Sequence, residues 1–172
     1  MDLSGVSIMM IKMTITKPDQ WAIHDRAMRV IFSQDKLGRG EHYNSKLNNH
    51  ERVAEYAESI SAEIVVARYF GLDYDLEKNK GKDEADVGKG LEVRHTHYIN
   101  GCLIIYPYDR VDDVSVLVVG RSPELYIVGW LPVKSAMQKH FKNTQQDSWW
   151  VTQEHLAPIG DLARSSYAAT HI

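Results

Sequence analysis

KDEADVGKGLEVRHTH, residues 82–97, sets two carboxylates and a guanidinium around what reads as the start of a β-strand. Asp86 stands in the Gly- and Lys-rich approach, and Glu92, Val93 and Arg94 follow inside the strand. Side chains alternate faces along a strand, so Glu92 and Arg94 share one face while Leu91, Val93, His95 and His97 share the other. An acid beside a base on one face is, by default, a surface ion pair. A third carboxylate nearby changes that reading. Carboxylates gathered without a counterion raise one another's pKa, so a persistent cluster implies a bound cation or a shared proton.

Upstream, the spacing predicts a long helix over 49–70, with Val53, Ala57, Ile60, Ile64 and Ala67 on one apolar stripe and Gly71 as its stop. Glu63 follows Ile60 by three residues and precedes Ala67 by four, which places it along the buried stripe, where a carboxylate needs a partner. A first helix is expected over 18–32, capped by Thr16, with Trp21, His24, Met28, Ile31 and Phe32 recurring at three-to-four spacing. The N-terminal run before it lacks the basic opening of a signal peptide and contains Lys12, so it reads as a strand. A polar loop is expected over 33–45.

Downstream, strands are predicted at 91–98, 102–106, 114–119 and 125–131, separated by Asn100-Gly101, by 107–113 and by 120–124. Such short connections predict an antiparallel or mixed sheet rather than alternating strand and helix. A short helix is expected over 133–141, including a basic edge of Lys134, Lys139, His140 and Lys142. A strand or extended arm is expected over 149–159, ahead of a weak helical tail. The fold class is therefore α/β, a central mixed, largely antiparallel sheet flanked by helices. It forms a single domain over 1–172, with a core at about 49–142, a strand–helix extension over 1–48 and a C-terminal arm over 143–172.

Composition bounds the function. With 172 residues, 44% of them hydrophobic, the chain can bury a core of its own. A formal net charge of −3 gives no global attraction to nucleic acid, so any such contact must come from a local basic patch. Cys102 is the only cysteine, which excludes an internal disulfide and points to the cytoplasm. No apolar run approaches the ~20 residues a membrane-spanning helix needs.

Glu63 on a long helix, Asp86 before a strand and Glu92-Val93-Arg94 within it together resemble the restriction-endonuclease-like superfamily, known by its PD-(D/E)XK motif. The stretch ADVGKGLEVRHTHYINGCLIIYP, followed by VLVVG and YIVGWLP, is similar to small nuclease-like proteins of phages and prophages. The resemblance covers roughly 53–132 and implies a restriction-endonuclease-like core. It also implies that Asp86 and Glu92 hold a divalent metal, that Glu63 joins them, and that DNA is the substrate. Two positions depart from the pattern. Ala85 replaces a turn-shaping Pro, and Arg94 replaces the usual Lys. A guanidinium stays protonated at any physiological pH, so Arg94 serves as an electrostatic clamp on phosphate and not as a base. Hard oxygen donors suit magnesium or manganese, either of which activates water by lowering its pKa. Lys82 and Lys89 are further cations in the same loop.

Competing chemistries are weaker. His95 and His97 form an H-x-H on the face opposite Glu92, and no zinc spacing links them to His24, His50, His140 or His155. The expectation is one packed core histidine and one near the strand end. Cys102 reads as a small core residue, and GKGLEV lacks the Lys-Ser or Lys-Thr of a phosphate-binding loop. Trp130 reads as core, and the Trp149-Trp150 pair as one ring inside and one partly exposed. Two functions stand. The first is a metal-dependent DNA phosphodiester hydrolase with Glu63, Asp86, Glu92 and Arg94 as its site. The second is a non-catalytic module binding nucleic acid or protein, in which Glu63 pairs with an arginine such as Arg94 and Asp86 caps a turn. A homodimer or a partner protein is compatible with either.

Overall fold

Two long helices cover one face of a four-stranded mixed sheet, and a small two-stranded sheet covers the other. The computed structural model describes residues 9–38, 46–81 and 83–172. The strands of the main sheet are β1 (Ile11–Thr14), β2 (Leu91–Thr96), β4 (Val114–Arg121) and β5 (Glu124–Pro132), in the spatial order β1-β5-β4-β2. β3 (Leu103–Ile105) and β6 (Trp149–Val151) form the second sheet. The helices over the first face are α1 (Lys17–Lys36) and α2 (Asn49–Tyr69). Three short ones follow: α3 (Val133–Ala136), α4 (Ile159–Leu162) and α5 (Ala168–His171).

Both long helices start on capping boxes. Thr16 accepts from the Asp19 N–H while Asp19 accepts from the Thr16 N–H, and Asn48 and Glu51 do the same for α2. Asp19 is also gripped by both terminal nitrogens of Arg68, at 2.8 and 2.9 Å, tying the last turn of α2 to the first turn of α1. Beneath the helices, Ile23, Ala27, Ile60 and Val65 pack on Leu91, Val116 and Ile127. On the other face, Leu117, Val119 and Val128 pack on Leu103, Ile105 and Val151. β4 is buried on both faces along almost its whole length, which is why its sequence is a continuous apolar run rather than an alternation.

The α/β class and the mixed sheet are as expected, but the four strands predicted downstream do not form one meander. β2 pairs with β4 in parallel, and β3 leaves the main sheet to pair with β6. The cause is the apolar second face of β4. The 97–113 connection crosses that face and shields Leu117 and Val119 with Leu103 and Ile105, and a crossover is what a parallel pair requires.

The buried stripe of α1 is also displaced from the one expected. Ile23, Ala27 and Ile31 face the core, while Trp21, Met28 and Phe32 are exposed. Two apolar stripes lie side by side on this helix at the same spacing, and periodicity cannot say which one faces inward. α1 continues to Lys36, into the segment expected to be loop, and the rest of that loop, 39–45, lies outside the described residues, as do 1–8 of the expected opening strand. The predicted helix over 133–141 is only α3 followed by a 3-10 turn at Lys139–Phe141. The predicted strand over 149–159 stops at Val151, where another 3-10 turn and α4 take over. Among the described residues, no helix is long and apolar enough to cross a membrane.

Candidate functional site

β2 is an edge strand, and the three acidic residues singled out in the sequence run around that edge. Leu91 and Val93 face α2 in the main core, so Glu63, carried by α2, lies on their side of the sheet. Glu92 and Arg94 point to the opposite face, beside their register partners Ser115 and Leu117. Asp86 stands between the two. Its Oδ2 accepts a 2.8 Å hydrogen bond from the Val93 N–H, the donor that an edge strand turns away from its sheet. The arrangement is a row rather than a triangle.

A tight turn places Asp86 there. Val87 and Leu91 pair across it, and Gly88 adopts a left-handed backbone with φ of +59°. A side chain at Gly88 would meet the His171 carbonyl at 2.7 Å. That carbonyl accepts from the N–H groups of Lys89 and Gly90, at 3.0 and 3.1 Å. His171 Nε2 lies 2.7 Å from the Asp112 carbonyl, so α5 braces both the turn and the loop leading into β4.

Each acid has a partner. Glu63 accepts from Lys80 Nζ and from the Tyr74 hydroxyl, both at 2.6 Å, and Lys80 also donates to the Asp86 carbonyl. Glu92 accepts from Arg110 Nη2 at 2.8 Å, and the same guanidinium holds Asp113 through Nε at 2.6 Å. Arg94 donates to Asp109 at 2.5 Å, and Asp109 also accepts the Tyr106 N–H. The expected Glu63–Arg94 pair is therefore replaced by Glu63–Lys80 and Arg94–Asp109. Two buried polar atoms have no partner among the described residues, Arg94 Nε and Ser115 Oγ, and both residues flank Glu92 on its own face.

Among the described residues, this network joins five carboxylates, those of Glu63, Asp86, Glu92, Asp109 and Asp113, to three cations, Lys80, Arg94 and Arg110. The negative excess appears in the acidities. Burial pushes the Glu63 carboxyl up, and the neighbouring Asp86 adds to that against the pull of Lys80. Burial raises Asp86 too, despite the Val93 N–H, Lys80 and Arg94. Glu92 is pushed up to about 8, by burial first and then by Asp86. Asp86 thus couples to a carboxylate on each side of the sheet.

Among the described residues, no group of three or more His, Cys, Asp or Glu side chains is arranged to hold a metal ion. The donor set still suits magnesium or manganese, because these ions are commonly held by one or two carboxylates with the remaining positions filled by water and substrate phosphate. Asp86 with Glu63, or Asp86 with Glu92, is such a pair.

A cleft of about 660 Å³ opens beside the row, between α1, α2 and the 74–81 segment, and Glu63 and Asp86 line it. Arg26, Arg29, Lys78 and Lys80 line it as well. Lys80 was missed in the sequence, where Lys82 and Lys89 were the cations considered. Lys82 lies outside the described residues, and Lys89 donates to the Ala169 carbonyl instead. Arg110 and Asp113 were passed over as turn residues, although the charge density of DRVDD at 109–113 was a signal.

His97 lies just past the strand end, as expected, but the expected packed core histidine is absent among the described residues of β2, where His95 is only half-buried. His95 Nε2 lies 2.9 Å from the Gly120 carbonyl, and the His97 ring leans on Tyr98. Trp130 is buried and donates to the Pro158 carbonyl, while Trp149 is half-buried and Trp150 exposed. Compared with models of protein families, with curated proteins and with solved structures, the chain matches none.

Proposed function

We propose that the protein hydrolyses DNA phosphodiester bonds with a divalent cation held by the Glu63–Asp86–Glu92 row, on a restriction-endonuclease-like core. The observation that carries this reading is the uncompensated charge: five linked carboxylates against three cations, with Glu63, Asp86 and Glu92 all pushed above their ordinary range. A divalent ion balances that excess and is drawn to hard oxygen donors. When bound, magnesium or manganese lowers the pKa of a coordinated water and neutralises charge on the phosphate.

The chain's own residues supply the rest. Asp86, fixed through Oδ2 by the Val93 N–H, would offer its other carboxylate oxygen to the cation, and Glu63 would do so from the α2 side. Glu92 is set by Arg110 on the opposite side. Arg94 is immobilised by Asp109, with its Nε buried and its side chain still partly exposed, and acts on phosphate through its fixed charge, as a clamp and not a base. Lys80 Nζ donates to Glu63 and holds that carboxylate in place.

The test is incubation with end-labelled single- and double-stranded DNA, with and without magnesium or manganese. Cleavage that depends on the metal and is abolished in Glu92→Ala is expected. Cleavage that survives Glu92→Ala sinks the assignment. The second reading, a non-catalytic module that binds nucleic acid or protein, is favoured by one observation: Glu63, Glu92 and Arg94 are each already paired within the fold. Calorimetry separates the two, since the module takes up no divalent ion.

A further inference from the structure

We propose that the 660 Å³ cleft between α1, α2 and the 74–81 segment binds single-stranded nucleic acid, with Arg26 and Arg29 gripping its phosphates. The choice of a nucleic-acid ligand rests on the nuclease reading above.

The grip is visible in what those arginines now hold. Arg29 presents Nη1 and Nη2 to the two oxygens of Glu77, at 2.9 and 2.7 Å. Arg26 approaches the same carboxylate at 3.6 Å and donates to Asn79 at 2.7 Å. Two guanidiniums thus converge on one carboxylate, Arg29 in the forked geometry with which arginine takes up phosphate and Arg26 through one nitrogen. Glu77 is 60% exposed, so its hold is screened by water and open to exchange. Arg26 is different, with a side chain only 11% exposed, and it is set in the cleft before any ligand arrives. A phosphate group carries the same paired oxygens as Glu77 and is not attached to the protein. It replaces Glu77 and leaves the 74–81 segment held by fewer contacts.

The size and lining of the cleft select the strand. Its volume falls within the range of roughly 300–1,000 Å³ that accommodates small ligands, on the order of one or two nucleotides and far less than a duplex segment occupies. Tyr56, partly buried against the main core, also lines it and is the ring proposed to take a base by stacking, without regard to sequence. The Tyr74 ring, in contrast, is already covered by the Lys80 ammonium, 4.3 Å from its centroid. Glu63 and Asp86 line the same cleft as the arginines, so a strand held at Arg26 and Arg29 runs on towards the acidic row.

The test is fluorescence anisotropy of a labelled short oligothymidylate and of a matching duplex, in chelator, where no cleavage occurs. Tighter binding of the single strand is expected, and so is a weakening of about tenfold or more in the Arg26→Gln/Arg29→Gln double variant. The log–log salt slope of that variant falls by roughly 1.4, because each single-strand phosphate contact contributes about 0.7. Glu77→Gln, which keeps both arginines and removes the carboxylate they share while Asp25 stays on Arg29 Nε, tightens binding several-fold. Duplex preference, unchanged affinity in the double variant, or no gain in Glu77→Gln overturns the proposal. Binding that follows this pattern without cleavage in any metal supports the arginine grip and removes the nuclease reading. Cleavage with no dependence on Arg26 and Arg29 does the reverse.

Discussion

The Asp86 carboxylate accepts the backbone N–H of Val93, seven residues further along the chain, so one side chain both closes the turn and occupies the outward donor of an edge strand. Asp86→Asn keeps an oxygen for that hydrogen bond and removes the charge. It is expected to melt at or slightly above the wild-type temperature while losing divalent-cation binding by calorimetry. Asp86→Ala leaves the N–H unpaired and costs about 1–3 kcal/mol. Wild-type manganese binding in Asp86→Asn would remove Asp86 from the metal site.

Glu92 gives the metal-free protein an unusual pH dependence. Its carboxyl titrates at about 8 in the fold against 4.5 ordinarily, so between those values the folded state holds more protons than the unfolded one. Stability from this group is therefore complete below about 4.5 and is lost as pH rises through about 8. Urea midpoints taken in chelator across that window should fall with pH, and Glu92→Gln should flatten the trend. Magnesium or manganese should restore stability most at the alkaline end, where the row is fully ionised. A wild-type midpoint that rises steadily with pH in chelator would contradict the burial of this charge.

Lys80 and an incoming cation share the Glu63 carboxylate. Removing the ammonium in Lys80→Met leaves a largely buried acid without its main partner, a loss of about 1–3 kcal/mol given that both side chains keep some contact with water. The same variant should bind manganese more tightly than the wild type, and the metal should recover more of its melting temperature. Weaker manganese binding in Lys80→Met would show that the ammonium assists the site instead of competing for it.

The two apolar stripes of α1 separate in a pair of adjacent substitutions. Ile31→Ala should cost about 2–5 kcal/mol by opening a cavity, whereas Phe32→Ala, at an exposed position, should stay within about 0.5 kcal/mol. Chemical denaturation of both variants decides which stripe faces the core. Equal losses would mean that the Phe32 face is covered in solution.

Local chemistry was legible in the chain wherever one residue carries its own geometric constraint. The Thr16 cap, the Gly71 stop, the α2 stripe and the Asn100-Gly101 break all lie where the sequence places them. The parallel pairing of β2 with β4 was not legible, because it depends on β3 leaving the sheet, and Leu103 and Ile105 read alike in either sheet. At the site, the acids were recognisable as residues needing partners, but the partners were not. Lys80, Arg110 and Asp109 come from loops, whose paths follow from tertiary packing rather than from periodicity. The row-like layout follows from strand alternation once Leu91 and Val93 are known to face α2.

β1 contacts its sheet through β5, with Ile11 opposite Ile127 and Thr14 opposite Glu124. β1 thus has no partner in the main sheet until more than a hundred further residues have been made. Closing so long a loop is entropically slow and favours late addition of that strand to an existing β4–β5 hairpin. During synthesis, α1 and α2 emerge before the sheet that buries Ile23, Ala27 and Val65, and those residues stay solvent-accessible in the interval. In the sheet, then, β1 depends on a strand translated long after it, and its place is held open by the β4–β5 hairpin it completes.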